Sequence, residues 1–143
     1  MARTYGLIGY PLGHSFSRGY FTDFFTQQGI DAEYKNFELP QISDLTSVLA
    51  EETDLQGFNV TIPYKQTVIP YLDSVSPVAE RIGAVNTIVN RDGKLCGYNT
   101  DYWGMRALIQ RVGLNLSDEK VLILGSGGTA KTAAVVAADL GAA

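Results

Sequence analysis

The chain has 143 residues and a formal net charge of −4; 45% of its residues are hydrophobic and 18% are charged, which is typical of a globular domain. No apolar run approaches the roughly 20 residues of a membrane span, and the first residues lack the apolar stretch of a secretory signal. One cysteine and one histidine predict no disulfide and no metal centre, and the absence of a basic run argues against nucleic acid. We therefore expect a cytoplasmic protein without a membrane or nucleic-acid partner.

Strand-like and helix-like stretches alternate along the first part of the chain. A short apolar strand is predicted at residues 4–9, and a helix at residues 17–28 would be capped by Ser17 and ended by Gly29. Its phenylalanines, at 21, 24 and 25, share one face and are expected in the core. A strand at 33–39, a helix at 43–52 and a strand at 57–62 follow.

The next part of the chain continues the alternation. Helical segments are predicted at residues 65–72 and 77–82, and strands at 84–90 and 94–98 flank an Asp92-Gly93 hairpin turn. A helix at 100–112 is expected to place Trp103 in the core. This pattern predicts an α/β fold with a mainly parallel mixed sheet flanked by helices.

Polar side chains follow three of the predicted strands. In such sheets ligands bind outside the carboxyl ends of the strands, and clustered neutral donors and acceptors there suit a ligand that carries hydroxyls and one carboxylate. The alternative is that these side chains only satisfy turns and caps. The residues are Ser15, Ser17, Asn59, Thr61, Asn86 and Asn99.

Lys65 and Asp101 are candidates for proton transfer in the same region. A lysine ammonium held near a carboxylate can polarise a carbonyl group and supply a proton. From spacing alone, a solvated lysine and a simple helix cap are the favoured interpretations. His14 is most simply interpreted as a turn residue.

A glycine loop follows an apolar run near the end of the chain. Residues 120–128 read KVLILGSGG, which predicts a buried strand and a loop, and a helix is predicted at 129–143. The spacing Gly125-x-Gly127-x-x-Ala130 favours a dinucleotide pyrophosphate over a P-loop nucleotide, since the P-loop requires glycine where Ala130 stands. The expected cofactor contacts are Gly125, Ser126, Gly127, Gly128 and Thr129.

We expect two units in the chain, a complete domain at residues 1–114 and an incomplete Rossmann-like unit at residues 115–143. A dinucleotide-binding unit needs a further strand and a ribose-binding residue roughly 20 positions after the loop. The apolar face of the last helix is expected either to dock on the first domain or to form a homodimer.

Five segments in order make the chain resemble the N-terminal part of the shikimate dehydrogenase family. They are GYPLGHSFS (9–17), FNVTIPYK (58–65), GAVNT (83–87), GYNTD (97–101) and GSGGTAKT (125–132). The resemblance implies NADPH-dependent reduction of 3-dehydroshikimate to shikimate in aromatic amino-acid biosynthesis, although the sequence leaves NAD open.

The resemblance also assigns roles to the candidate residues. Lys65 and Asp101 would be the catalytic pair, and Ser15 and Ser17 would hold the substrate carboxylate. The ring hydroxyls would be contacted or supported by Asn59, Thr61 and Asn86. The polypeptide alone is expected to be inactive or nearly so. Three alternatives stay open: a quinate/shikimate dehydrogenase, a non-catalytic module that binds a polyol acid, and a P-loop phosphotransferase.

Overall fold

A six-stranded mixed sheet forms the centre of the computed structural model, which describes residues 2–143. Its strands are β1 (Arg3–Gly9), β2 (Ala32–Glu38), β3 (Leu55–Val60), β4 (Ser74–Val75), β5 (Thr87–Arg91) and β6 (Lys94–Tyr98). Their order is β2-β1-β3-β5-β6-β4. β1 pairs in parallel with β2 and β3, and β4 with β6, whereas β5 is antiparallel to both neighbours. The predicted mixed α/β sheet is confirmed.

Within the described part of the chain, five helices flank this sheet: α1 (Ser17–Gln28), α2 (Leu45–Glu51), α3 (Pro77–Ile82), α4 (Thr100–Arg111) and α5 (Gly128–Asp139). Short 3-10 turns lie at Ile42–Asp44 and Ile69–Tyr71. None of the helices among residues 2–143 has the length and apolarity required to cross a membrane.

The main core lies on one face of the sheet. Alternate residues of the strands, among them Ile8, Phe58 and Ile88, pack there with residues from α2 and the following loops, such as Leu45 and Val68. The opposite face is covered by α1 only over β1 and β2, where Phe21 and Phe25 pack on a smaller cluster around Tyr34.

Two aromatic residues predicted in the core are exposed instead. Phe24 is 41% exposed and Trp103 is 58% exposed. α1 packs mainly against β2 and β1, and none of its residues is fully buried. Spacing identified α1 and α4 but could not show how much of each helix a neighbour covers.

The predicted hairpin and helix ends agree closely with the structure. Asp92 and Gly93 both have positive φ, 53° and 84°, as a two-residue type I′ turn requires. Gly29, with φ 63°, ends α1 in the left-handed conformation. Ser17 is not the cap, however, because Phe16 occupies that position and Ser17 begins the helix. The Ser17 hydroxyl is therefore free to act elsewhere.

The predicted helix at 65–72 is wrong, since the structure has turns there and one 3-10 turn around Pro70. Proline lacks the N–H that an α-helix would need at that position. The carbonyl of Lys65 instead accepts a hydrogen bond from the Val85 amide at 2.7 Å. This bond ties the segment to the chain that leads into β5, and the turns themselves are closed by local backbone bonds such as Val68 N–H to the Tyr64 carbonyl.

The strand of the expected Rossmann-like unit is also wrong. Residues 120–124 form no strand, and Leu122 and Leu124 are 83% and 89% exposed. A strand needs a neighbouring strand to satisfy its backbone groups, and none lies beside this segment among residues 2–143. Only the loop and the helix of the unit are formed.

α5 docks on the rest of the chain through its apolar face. Val136 is fully buried and packs with Ile82 of α3 and Tyr102 of α4. At the far end, Asp139 accepts hydrogen bonds from Arg81 and from the Tyr102 hydroxyl. This is the first of the two expected arrangements. The face that the homodimer prediction needed exposed is covered within one chain.

Candidate functional site

The candidate site lies at the edge where β1, β3 and β6 end and β5 begins. The register places Leu7, Asn59, Thr87 and Tyr98 in one row across the sheet. The segments that follow β1, β3 and β6 carry the serines, Lys65 and Asp101 respectively. Sheet topology therefore gathers the polar segments that the sequence separates.

Lys65 and Asp101 form an ion pair. Lys65 Nζ donates to Asp101 Oδ2 at 2.7 Å, and the two side chains are 18% and 35% exposed. Asp101 is in the first turn of α4, where a carboxylate is favoured by the helix dipole. The cap of this helix is Asn99, whose Oδ1 accepts a hydrogen bond from the Tyr102 amide at 3.0 Å. The simple-cap interpretation of Asp101 is therefore wrong.

Asn99 also joins α4 to α5. Its Nδ2 donates to the carbonyl of Ala84 at 3.1 Å and to Thr132 Oγ1 at 3.2 Å, and both Asn99 and Thr132 are buried. The Thr132 hydroxyl in turn donates to the Gly128 carbonyl at 2.9 Å. A buried polar network thus links the glycine loop to the start of the helix that carries Asp101.

Asn59 and Asn86 are adjacent and hold local partners. Asn59 Nδ2 donates to Thr87 Oγ1 at 3.2 Å. Asn86 Oδ1 accepts from the Thr100 amide at 2.8 Å, and its Nδ2 donates to Thr100 Oγ1 at 2.8 Å. These bonds agree with the turn-and-cap interpretation. They also fix the direction of both side chains.

Ser15, Ser17 and Thr61 line a cavity of about 480 Å³ beside the loop after β1. Ser15 Oγ is buried and has no hydrogen-bond partner among residues 2–143. Buried polar atoms are nearly always paired, so a hydroxyl without a partner in a cavity suggests a ligand contact. Glu38 steadies the loop, because its Oε1 accepts from the Leu12 amide at 2.8 Å.

Tyr34 is a residue of this region that the sequence did not single out. Its hydroxyl donates to Asn59 Oδ1 at 2.8 Å, and the residue is 6% exposed. Burial raises the pKa of Tyr34 to about 12, while a hydrogen bond from the Ser17 side chain opposes the rise. The alternation of β2 gave its inward orientation, but its contacts depend on a strand order that only the structure supplies.

The glycine loop borders a second cavity of about 530 Å³, which Lys65 also lines. Of the predicted cofactor residues, Gly125, Gly127, Gly128 and Thr129 line it and Ser126 does not. A Cβ at Gly127 would meet nothing within 4 Å, whereas one at Gly128 would lie 3.1 Å from Lys65 Cβ. The open backbone at Gly127 and the unpaired first amides of α5 suit a phosphate group.

Most of the candidate residues line one of three hollows rather than a single cavity, and the first two hollows are neighbours. Ile62 lines both. The serines and Thr61 face the first cavity, and Lys65 with the glycine loop faces the second. Asn59 lies beside Tyr34 and Thr87 in a third hollow on the open face of the sheet. This arrangement can hold a polar ligand next to a phosphate-bearing one.

Comparison with known proteins gives one consistent family. Residues 7–88, more than half of the chain, match the family described as shikimate dehydrogenase substrate binding domain. A curated relative from Symbiobacterium thermophilum, "Shikimate dehydrogenase (NADP(+))", is 42% identical over 135 residues, which is 93% of this chain and 46% of the relative.

Solved structures give the same result. Shikimate dehydrogenase 1 from Peptoclostridium difficile superposes with a TM-score of 0.90 at 40% identity, covering 98% of this chain and 52% of that one. A shikimate 5-dehydrogenase from Thermus thermophilus, solved in complex with shikimate, gives a TM-score of 0.86 at 32% identity, with 98% and 54% coverage. The chain spans about half the length of the relatives it matches.

Proposed function

Because the chain belongs to the shikimate dehydrogenase family, we propose that it provides the substrate-binding and proton-transfer residues of an NADPH-dependent reductase that converts 3-dehydroshikimate to shikimate. The observation that carries the proposal is the Lys65–Asp101 ion pair, 2.7 Å between Nζ and Oδ2, at the edge where the polar segments meet. Residues 1–114 would form the shikimate-binding domain, and residues 115–143 would begin the cofactor-binding region.

The proton transfer is assigned to Lys65. When NADPH is bound, its nicotinamide supplies the hydride. The Lys65 ammonium donates a proton to the substrate carbonyl oxygen as negative charge develops there. Asp101 accepts a hydrogen bond from this ammonium and orients it.

The substrate carboxylate is assigned to the serines. Ser15 Oγ has no partner among residues 2–143, and Ser17 lines the same cavity, so both hydroxyls are available to donate to a carboxylate. Thr61 lines that cavity too. Hydrogen bonds to their neighbours fix the orientation of Asn59 and Asn86. Both amides are therefore suited to contact the ring hydroxyls or to support residues that do.

The residues present fit the phosphate part of NADP. Gly127 leaves its backbone open to a ligand, and the amides of Gly128 and Thr129 begin α5, where anions are favoured. These residues, with Gly125, would hold the pyrophosphate beside Lys65.

The experiment that tests this function is a titration of the 143-residue chain with shikimate, followed by NMR and calorimetry. We expect saturable binding that shifts the amide resonances of Ser15, Ser17 and Thr61. Replacing Lys65 by Met should weaken the affinity about tenfold or more, since hydrogen bonds from charged groups contribute roughly 1.5–3 kcal/mol.

The matched control is Lys94→Met. Lys94 also pairs with an aspartate, at 3.6 Å from Asp73, but its side chain is 76% exposed and distant in the fold, so shikimate affinity should not change. No saturable binding by the unaltered chain, or equal affinity in the Lys65 variant, would contradict the proposal. Equal affinity for quinate would favour the quinate/shikimate alternative.

A further inference from the structure

Tyr34 is buried beside Asn59, one of the candidate substrate residues. It lies on β2 with only 6% of its surface exposed. Its ring stacks on Phe21 of α1, with 4.8 Å between ring centroids and 19° between planes. The ring is therefore held in place independently of its hydroxyl.

The Tyr34 hydroxyl anchors the oxygen of the Asn59 side chain. It donates to Asn59 Oδ1 at 2.8 Å, while Asn59 Nδ2 donates to Thr87 Oγ1 and to the Asn86 carbonyl. The Asn86 carbonyl, which can only accept, sets the direction of the amide. The phenol supplies a donor to the amide oxygen, and removing the phenol hydroxyl would take that partner away.

The direction of this hydrogen bond does not change with pH. A phenol has one proton to donate, and Tyr34 gives it to Asn59. Burial keeps the phenol neutral, because it raises the pKa of Tyr34 to about 12. The hydrogen bond from Tyr34 to Asn59 is therefore present across the pH range in which a protein of this kind is assayed.

We propose that Tyr34 is a positioning residue that anchors the oxygen of the Asn59 side chain and so holds this amide in place for a polyol-acid ligand. The proposal rests on the proposed function, since it takes Asn59 as a hydroxyl-binding or supporting group. Tyr34 itself need not touch the ligand. Its hydroxyl couples β2 to the end of β3.

The test is Tyr34→Phe in the 143-residue chain. This change removes one oxygen and keeps the ring that stacks on Phe21. We expect shikimate affinity to fall about tenfold and the side-chain NH2 resonances of Asn59 to shift or broaden even without ligand. If Tyr34 had only a structural role, its replacement would disturb amide signals well beyond Asn59. A shift of the Asn59 side-chain signals with the remaining amide spectrum unchanged therefore indicates positioning.

Tyr64→Phe is the matched control. Tyr64 is also 6% exposed, and its hydroxyl donates to a backbone carbonyl, that of Leu39, in the main core away from Ser17 and Asn59. Its replacement should leave shikimate affinity and the Asn59 signals unchanged. Unchanged affinity in Tyr34→Phe, with or without shifted Asn59 signals, would overturn the inference.

Two further readouts separate this inference from the proposed function and from a folding defect. If the unaltered chain does not bind shikimate, the proposed function fails, whereas the Asn59 signals still report whether Tyr34 fixes that side chain. Should Tyr34→Phe not fold, the unaltered chain decides: saturation with shikimate should shift both the Tyr34 hydroxyl proton and the Asn59 NH2 resonances. Resonances that do not move at saturation would overturn the inference.

Discussion

Gly128 lies where the glycine loop meets the lysine of the proposed site. A Cβ there would lie 3.1 Å from Lys65 Cβ, 3.3 Å from Lys65 Cδ and 3.4 Å from Ala84 Cβ. Glycine at this position thus allows α5 to start against the side chain that donates to Asp101. The contact gives a direct physical connection between the loop and the ion pair.

Replacing Gly128 by Ala should weaken both stability and shikimate binding. The added methyl must push Lys65 or α5 aside, and overpacking costs about 1–3 kcal/mol, which exceeds the gain of roughly 1 kcal/mol from alanine in a helix. We expect a net loss of about 1 kcal/mol in urea unfolding and a severalfold weaker affinity. Gly127→Ala is the control, because its Cβ would meet nothing within 4 Å. Identical behaviour of the two variants would refute this explanation.

Residue chemistry could be predicted where it follows the ends of strands. Lys65, Asp101 and the two serines stand in segments whose position depends only on the alternation of elements, and the structure places them at one edge. Tyr34 could not be found in this way. Its role depends on β2 lying beside β1 and on β1 pairing with β3, and the order of strands is not encoded in local periodicity.

At the scale of elements, helix and turn boundaries were predictable where residues with special backbone geometry mark them. Pro77 begins α3 and Gly83, with φ 75°, ends it, as proline and glycine do in many helices. The prediction of a strand at residues 120–124 was wrong because no local residue decides whether that strand forms. Its apolar run is that of a buried strand, but a strand forms only against a neighbour, which local sequence cannot reveal. β4, with two residues, is too short for any periodic pattern.

The docking of α5 should depend on pH through Asp139. Hydrogen bonds from Tyr102 and Arg81 lower the pKa of the Asp139 carboxyl below its ordinary value of 3.8. A lowered pKa in the folded state means that this contribution is present above about pH 4 and is lost as the pH falls through the folded-state value. We expect hydrogen-exchange protection of α5 amides to drop more than that of β1 as the pH falls below about 4.

Asp139→Asn tests the cause of that dependence. The variant should show weaker protection of α5 already at pH 7 and a flatter pH dependence, because the asparagine carries no charge for Arg81. Asp92→Asn, in the exposed hairpin turn where asparagine also tolerates positive φ, should behave as the unaltered chain does. Full α5 protection in Asp139→Asn at pH 7 would show that the apolar face alone docks the helix.

At the scale of the molecule, the substrate-binding and cofactor-binding features differ in how well the chain supports them. The serine loop, Asn59 and Asn86 rest on a paired sheet with a buried core. Among residues 2–143, side-chain hydrogen bonds reach the glycine loop only at its α5 end, through Thr132 and Gly128. The apolar residues before the loop, Leu122 and Leu124, remain exposed.

This difference predicts that the 143-residue chain binds shikimate but binds NADPH weakly and turns over little substrate. Holding a hydride donor over its acceptor requires both partners fixed in a reactive geometry, and a loop without a strand beneath it fixes only the phosphates. We expect an NADPH dissociation constant of roughly 1 mM or weaker, which corresponds to about 4 kcal/mol of binding free energy. Turnover, followed by nicotinamide absorbance with shikimate and NADP, should be far below that of a full-length relative assayed in parallel. Shikimate binding by the same preparation is the control for folding. Turnover close to that of the relative would show that residues 2–143 already hold the nicotinamide in place.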